Sequence, residues 1–332
     1  MTSKLGSHVR RRVVRAMSAG AFIAASGRLH ASAATAGTAA AVAPAPHATP
    51  PRRIVTMSWE LTETLLALGV APVGMSLPPW YTQTIVEPPL PAGVADLGLL
   101  YQPNFEVLQR LAPDLMIITP GHASIRGALE HIAPTLTLGA YMSDPQPYQS
   151  LRRETVELGR ALARESHATT LLDATTRYVA GEKARLDAQP AWRASPVIVA
   201  DAVDDRFVRV YGAGSLFDDL LREMNVANAV HPSKPAGRTA WTMNMAGSAL
   251  VPVQRLMDAG LASVLLVGPV QPAVRAGLLR NPLWQALPAV RSARLMELPV
   301  IAPYGGLISM QRFARAVTTA LAQIADGSAQ RG

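Results

Sequence analysis

The chain has no cysteine in its 332 residues. That excludes a disulfide framework, a thiolate metal site and a cysteine nucleophile. It has no apolar run long enough to cross a bilayer, so the mature protein is expected to be soluble. It lacks a closely spaced histidine pair and a carboxylate cluster of metal-site spacing. It also lacks a Ser-His-Asp signature, a phosphate loop and a dinucleotide fingerprint. Neither enzymatic activity nor a resident cofactor is therefore expected.

Acidic residues are absent from positions 1–33, where Lys4, Arg10, Arg11, Arg12, Arg15 and Arg28 are concentrated. This segment explains most of the formal net charge of +8; without it, 25 basic residues face 23 acidic ones, a net +2. The body of the chain gives no basic face for nucleic acid. Arg10–Arg12 and Arg15 precede a modest apolar run, Ala16–Ser26, and Ala31-Ser32-Ala33 forms a small-residue cleavage site. This reads as a twin-arginine-like signal peptide over 1–33, cleaved near Ala33, and places the mature protein in the periplasm. No cysteine follows the run, which excludes a lipid anchor. Residues 34–51, rich in Ala, Thr and Pro, read as a flexible leader.

What remains is substantial. Apolar residues make up 49% of the chain, enough for a real core. The pattern predicts alternating strands and helices in two lobes, over 52–145 and 191–326, joined by linking helices over 146–190. The linker contains a strut at Ser166–Gln189, capped by Ser166 and stopped by Pro190, about 35 Å long. Leu171, Leu172, Thr175, Tyr178, Val179 and Leu186 fall near helical spacing along it. Such a strut implies a cleft whose walls cannot swing far apart. The first lobe holds strands at Arg53–Ser58, Ala71–Ser76, Asp114–Thr119 and Thr135–Leu138. Its helices are at Trp59–Leu68, Asn104–Leu111 and Arg126–Ile132, and Leu77–Leu100 is a long irregular loop. The second lobe holds strands at Pro196–Ala202, Phe207–Tyr211, Ser263–Val267 and Arg294–Pro299. Its helices are at Ser215–Met224, Val253–Ala259, Pro272–Leu287 and Leu307–Ala325. A helix from Glu106 into LMIIT is echoed by one from Gln254 into SVLLVGP. In open α/β sheets ligands bind beyond the strands' carboxyl ends, which nominates the loops near Gly121-His122 and Gly268.

Several stretches resemble the periplasmic ferric-hydroxamate siderophore-binding proteins, the substrate-binding components of ATP-driven iron importers. They are RIVTMSWELTETLLALGVAPVG, VEPPLPAGVADLGLLYQPNFEVLQRLAPDLMI, GSLFDDLLREMNVANA and NPLWQALPAVRSARLMELP. VEPPLP, NPLWQALP and Tyr304-Gly305 in register are the more specific signals. The resemblance covers roughly 52–325. It implies two Rossmann-like α/β lobes with central, mostly parallel sheets joined by one long helix, the class III periplasmic binding protein arrangement. It also implies an iron(III)-siderophore as ligand, delivered by a monomer to an inner-membrane ABC transporter permease with its ATPase. Because a siderophore satisfies its own iron, the protein needs a mostly apolar and aromatic surface with a few placed polar groups, and no metal ligands.

The resemblance assigns site residues. Tyr304 stands where the family places a ligand-contacting tyrosine. Trp241 lies near the family's cleft tryptophan, with contact and packing both open. Trp59 matches a tryptophan that either lines the cleft rim or fills the core. Trp80 and Tyr81 lie in the long loop, and Tyr101 follows the position of a family arginine that is Leu100 here. His122 replaces a cleft tyrosine, as a ligand contact or a structural residue. Trp284 reads as core. Glu106 matches an acidic transporter-docking residue; its counterpart on the second lobe is the uncharged Gln254. The alternative on the same fold is a carrier of haem, a corrinoid or another siderophore class, with Tyr304 or His122 as a haem axial ligand. From other classes, the alternatives are a hydrolase or nitrogenase-like component on this two-lobed fold, and a ligand-free scaffold.

Overall fold

The structure is a computed structural model and describes residues 49–231 and 241–327. The expected signal peptide and most of the expected leader lie outside these residues.

Apolar strand runs and capped helices alternate as the periodicity requires. The first half contains β1 (Ile54–Thr56), α1 (Trp59–Ala67), β2 (Gly74–Met75), α2 (Pro78–Thr84), β3 (Ala95–Asp96), β4 (Gly98–Leu99), β5 (Gln102–Pro103), α3 (Phe105–Leu111), β6 (Leu115–Ile118), α4 (Arg126–Glu130) and β7 (Thr135–Thr137). Two helices follow, α5 (Pro147–Ala161) and α6 (Glu165–Asp187). The second half contains β8 (Val197–Ala202), β9 (Phe207–Tyr211), α7 (Leu216–Glu223), β10 (Ser248–Pro252), β11 (Ser263–Gly268), α8 (Pro272–Arg280), α9 (Pro282–Gln285), α10 (Pro288–Arg291), β12 (Leu295–Val300) and α11 (Leu307–Ala325).

Two five-stranded sheets result, in the orders β3-β2-β1-β6-β7 and β10-β9-β8-β11-β12. The first is parallel throughout. The second is parallel across β8, β11 and β12, but β9 runs antiparallel to both β8 and β10. The reversal follows from the short β8–β9 connection, which is a hairpin and leaves no room for a crossover helix.

The long helix is present, and its buried positions Ala168, Leu171, Thr175, Val179, Glu182 and Leu186 form one stripe. Its start differs from expectation. Arg164 is the cap residue, without a side-chain cap bond, and Ser166 sits inside the first turn. The reason is the preceding turn: Ala163 adopts a left-handed φ of 51°, and Arg164 N–H donates to the Gly159 carbonyl at 2.7 Å. This closes α5 directly onto α6. Gly159 is required where they meet, since a Cβ there would lie 2.7 Å from the Ala168 Cβ.

α6 does not act alone. α11 lies along it, with Gln311 donating to Thr175 Oγ1 at 2.8 Å and Arg315 pairing with the buried Glu182 at 2.8 Å. One hydrophobic cluster runs from Ile54, Leu61 and Leu65 through Leu171 and Val179 to Phe217, Phe313 and Leu321. Because the core is continuous from one sheet to the other, a hinge motion would have to break packed contacts rather than bend a free linker.

Three further expectations change. Leu77–Leu100 is not irregular: Pro78 and Pro79 open α2, since their missing N–H groups fall where a helix has no internal partner. Pro272–Leu287 is not one helix. Asn281 caps a new one by accepting from Leu283 N–H at 2.9 Å, and Pro282 has no N–H to continue α8. Val253–Ala259 is a 3₁₀ helix.

Candidate functional site

On the first lobe, the carboxyl ends of the strands carry three aromatic groups. Ser58 caps α1 by accepting from Leu61 N–H, which places Trp59 at the first helical position. Trp59 donates its indole N–H to the Ser76 carbonyl at 2.9 Å. Its ring stacks on Trp80, with centroids 5.8 Å apart and planes inclined by 15°. Trp59 is half-buried and Trp80 is 52% exposed, so the pair presents one open face. Tyr101 stands 58% exposed at the tip of the β4–β5 hairpin. One carboxylate braces both: Asp96 Oδ1 accepts from Leu77 N–H before α2 and from Gly98 N–H before the hairpin.

Tyr81 does not belong to this surface. It is fully buried, its hydroxyl donates to the Pro88 carbonyl at 2.7 Å, and it packs with Met75, Ile85 and Ala302. Burial, then the nearby Glu63, pushes its hydroxyl pKa up. In a helix, adjacent residues point about 100° apart, so Trp80 can face out while Tyr81 turns into the core.

His122 is likewise not an open ligand contact. It is 1% exposed. Its Nε2 lies 2.8 Å from the Leu100 carbonyl, which can only accept, so Nε2 carries the hydrogen. Nδ1 then accepts from Thr119 N–H at 3.1 Å. Both nitrogens are engaged, which also removes His122 as a haem axial ligand. Its role is to strap the β6 loop to the residue before Tyr101, whose ring lies 5.1 Å from its own.

On the second lobe, strand alternation puts Asp201 of β8 beside Arg209 of β9. Arg209 Nη1 donates to Asp201 Oδ2 at 3.1 Å, and both side chains are half-buried. Tyr211 lies beside the same carboxyl, and Tyr304 lies within electrostatic reach of Arg209 and Tyr211. Burial raises the pKa of Asp201 and of Tyr211, the latter further because Asp201 is adjacent. Trp241 is half-buried beneath Arg255, whose guanidinium is 5.0 Å from its ring centroid, and packs on the outer core of this lobe. Trp284 is core, 3% exposed.

Tyr304 itself is half-buried, and first-lobe groups hold its backbone. Tyr141 donates its hydroxyl to the Tyr304 carbonyl at 2.7 Å. Two residues on, Glu63 of α1 accepts from Gly306 N–H at 2.8 Å, Ser309 N–H at 2.7 Å and the Ser309 hydroxyl at 2.6 Å. Ala302 packs into the same first-lobe cluster as Trp59. The structure therefore joins Trp59, Trp80 and the Tyr304 segment across one seam, and Tyr101 to His122. It places Trp241 separately, against Arg255.

Glu106 is exposed in the first turn of α3, where Asn104 caps the helix by accepting from Glu106 and Val107 N–H. Gln254 is exposed on the 3₁₀ helix of the second lobe. No group of three or more His, Cys, Asp or Glu side chains able to hold a metal occurs among the described residues. None of the described helices is long and apolar enough to cross a membrane.

Sequence reasoning missed Arg209, Asp201, Glu63 and Tyr141. For the first two a signal existed, since alternation in VIVADA and FVRVY puts one charge of each sign on the same sheet face. For Glu63 there was none, because its partners lie 243 and 246 residues away.

Residues 54–302 match the family profile described as periplasmic binding protein. The chain is 32% identical over 272 residues to the iron(3+)-hydroxamate-binding protein FhuD of Escherichia coli (strain K12), covering 82% of this chain and 87% of that one. It is 27% identical over 253 residues to the achromobactin-binding periplasmic protein of Dickeya dadantii (strain 3937), covering 73% and 76%. Among solved structures, the Fe3+–Desferal-bound siderophore-binding protein FhuD from Vibrio cholerae superposes with a TM-score of 0.74 at 24% identity, covering 82% of this chain and 98% of that one. With two sheets, one long joining helix and aromatic groups beyond the strand ends, this chain belongs to the periplasmic binding protein family.

Proposed function

We propose that this protein is exported to the periplasm and captures an iron(III)-siderophore of the hydroxamate type between its lobes. It then hands the complex to an inner-membrane permease driven by an ATPase. The observation carrying this reading is the open Trp59–Trp80 stack on the first lobe, where Trp59 packs on a cluster that also takes in Ala302, two residues before Tyr304. A preassembled iron chelate presents an apolar organic shell with a few exposed oxygens, which aromatic faces and one or two donors suit. On this reading the protein works as a monomer and neither holds a cofactor nor catalyses a reaction.

Arg209 supplies the cationic donor that Leu100 does not. Held by Asp201, it is oriented before ligand arrives, so little side-chain entropy is lost on binding. Tryptophan fluorescence titrated with Fe3+–Desferal is expected to show saturable quenching at micromolar or lower concentration; no quenching by any of several ferric hydroxamates would reject the ligand class. In the same titration Arg209→Met is expected to raise Kd by about tenfold, the loss of one hydrogen bond from a charged donor. An unchanged Kd would remove Arg209 from the site.

Glu106 is the proposed docking contact on the first lobe, with Gln254 marking the corresponding position on the second. Glu106→Lys is expected to leave Kd for Fe3+–Desferal unchanged, because α3 places the side chain in solvent. Siderophore-dependent iron uptake should fall several-fold in cells carrying the variant, since a like-charge contact opposes docking. Normal uptake would move the contact elsewhere.

A further inference from the structure

The described residues hold a carboxylate that the proposed function does not use. Glu63 is fully buried, on α1 of the first lobe. Three hydrogen bonds end on it, all from the start of α11 on the second lobe. The backbone around it is shaped to admit it. A Cβ at Gly306 would lie 2.9 Å from Glu63 Oε1, and one at Gly305 would lie 3.0 Å from Oε2 and closer still to Ser309. Tyr304 stands immediately before these two glycines, its carbonyl held by Tyr141 from the same lobe.

We propose that Glu63 is a positioning residue for the ligand site. By gathering Gly306 and Ser309 it seats the Tyr304 segment against the first lobe, so that a second-lobe ligand contact is set by first-lobe geometry. The proposal rests on the siderophore reading for its ligand but not for its geometry.

A buried carboxylate is an expensive way to hold a loop in place. Loss of solvent raises its pKa to about 7, against the opposing pull of the Ser309 and Gly306 hydrogen bonds and of Arg312. In the unfolded chain the same group ionises in the ordinary carboxylate range. Stability from this group is therefore present at low pH and lost as pH rises through about 7. An amide or an apolar side chain would avoid that cost, which makes a purely structural role a poor account of the residue.

The groups facing Glu63 are few. Arg312 of α11 bonds the Ile85 and Val300 carbonyls. Tyr81 of α2 and Tyr141 are within electrostatic reach, with their hydroxyls committed to Pro88 and Tyr304. Glu60, one turn earlier on α1, bonds the Ser58 hydroxyl at 2.7 Å. Among the described residues facing Glu63 only Arg312 is a cation, and it favours the ionised form that accepts all three bonds. Protonation costs the carboxylate one acceptor site and slackens its hold on Gly306 and Ser309.

The test uses the full mature chain carrying 13C-labelled tyrosine, with the Tyr304 ring signal assigned through Tyr304→Phe. In the ligand-free wild type that signal is expected to titrate with a midpoint near 7, and in Glu63→Gln to stay flat. Kd for Fe3+–Desferal should be about tenfold lower at pH 8 than at pH 6 in the wild type, the ratio of ionised Glu63 at those two values. Glu63→Gln should remove that dependence. Ser309→Ala, which deletes one of the three donors and keeps the carboxylate, should move both midpoints upward, and it serves if the glutamine variant does not fold. A flat Tyr304 signal in the wild type, or one that titrates unchanged in both variants, overturns the proposal. A signal that titrates as stated in a protein that binds no ferric hydroxamate leaves the positioning role standing and rejects the siderophore reading instead.

Discussion

Trp80→Ala is expected to raise Kd for a ferric hydroxamate by about 10–100-fold and leave thermal stability nearly unchanged, whereas Tyr81→Ala should cost about 3–5 kcal/mol of stability. The residues are neighbours in sequence and in α2, yet the helix turns one out and the other in. Trp80 is 52% exposed, and its ring stacks on that of Trp59. Removing it takes away half of a stacked platform and exposes little core. Tyr81 is fully buried, and its hydroxyl is the donor for the Pro88 carbonyl. Truncation leaves a cavity among Met75, Ile85 and Ala302 and an unsatisfied carbonyl, and both effects destabilise. Ligand titration and thermal melting on the two variants check the contrast. Equal losses of affinity and stability in both would mean that the Trp59–Trp80 pair is packing rather than a binding face.

Phe313→Ala is expected to lower the unfolding free energy by about 3–5 kcal/mol, read as a drop in the urea midpoint at constant m-value. Phe313 of α11 stacks on Phe217 of α7 with centroids 4.2 Å apart, and Phe217 meets Tyr211 of β9 edge-on at 5.1 Å. All three rings are almost entirely buried. The column ties the helix that runs along α6 to the sheet that carries Arg209, so the cavity would open in the second-lobe part of the core that continues into the first lobe. A second effect should follow. With α11 less firmly seated, the segment leading into it loosens, and Kd should rise although Phe313 is remote from the ligand. Phe313→Leu, which restores most of the volume, should recover stability and affinity together. Recovery of one without the other would show that the shared core and the Tyr304 segment are independent.

The second prediction depends on a feature visible only in three dimensions. Leu171, Val179 and Leu186 announced a long helix through their spacing, and Pro190 marked its end. Nothing local announced that α11 would lie along it, with Gln311 on Thr175 and Arg315 on Glu182. A strut can be read from periodicity, because the pattern repeats every few residues within one segment. A strut welded to a second helix more than a hundred residues later cannot.

The candidate site divides in the same way. Trp59, Tyr101 and Tyr304 were named from the family resemblance, and the structure leaves Tyr101 exposed and Trp59 and Tyr304 half-buried. Tyr81 and His122 misled because exposure is not a property of a residue type. Both occupy loop-like stretches rich in Pro or Gly, and both turn inward to satisfy a carbonyl, Pro88 in one case and Leu100 in the other.

From the sequence alone came the elements, their alternation into two α/β halves and the joining helix. These follow from hydrophobic period, caps and turn residues, which act over a few positions. The tertiary structure decided which aromatic groups face solvent, that Arg209 stands beside Asp201, and that Glu63 of one lobe holds the Tyr304 segment of the other. Those outcomes depend on long-range contact between surfaces whose partners lie up to 246 residues apart, and no local pattern encodes them.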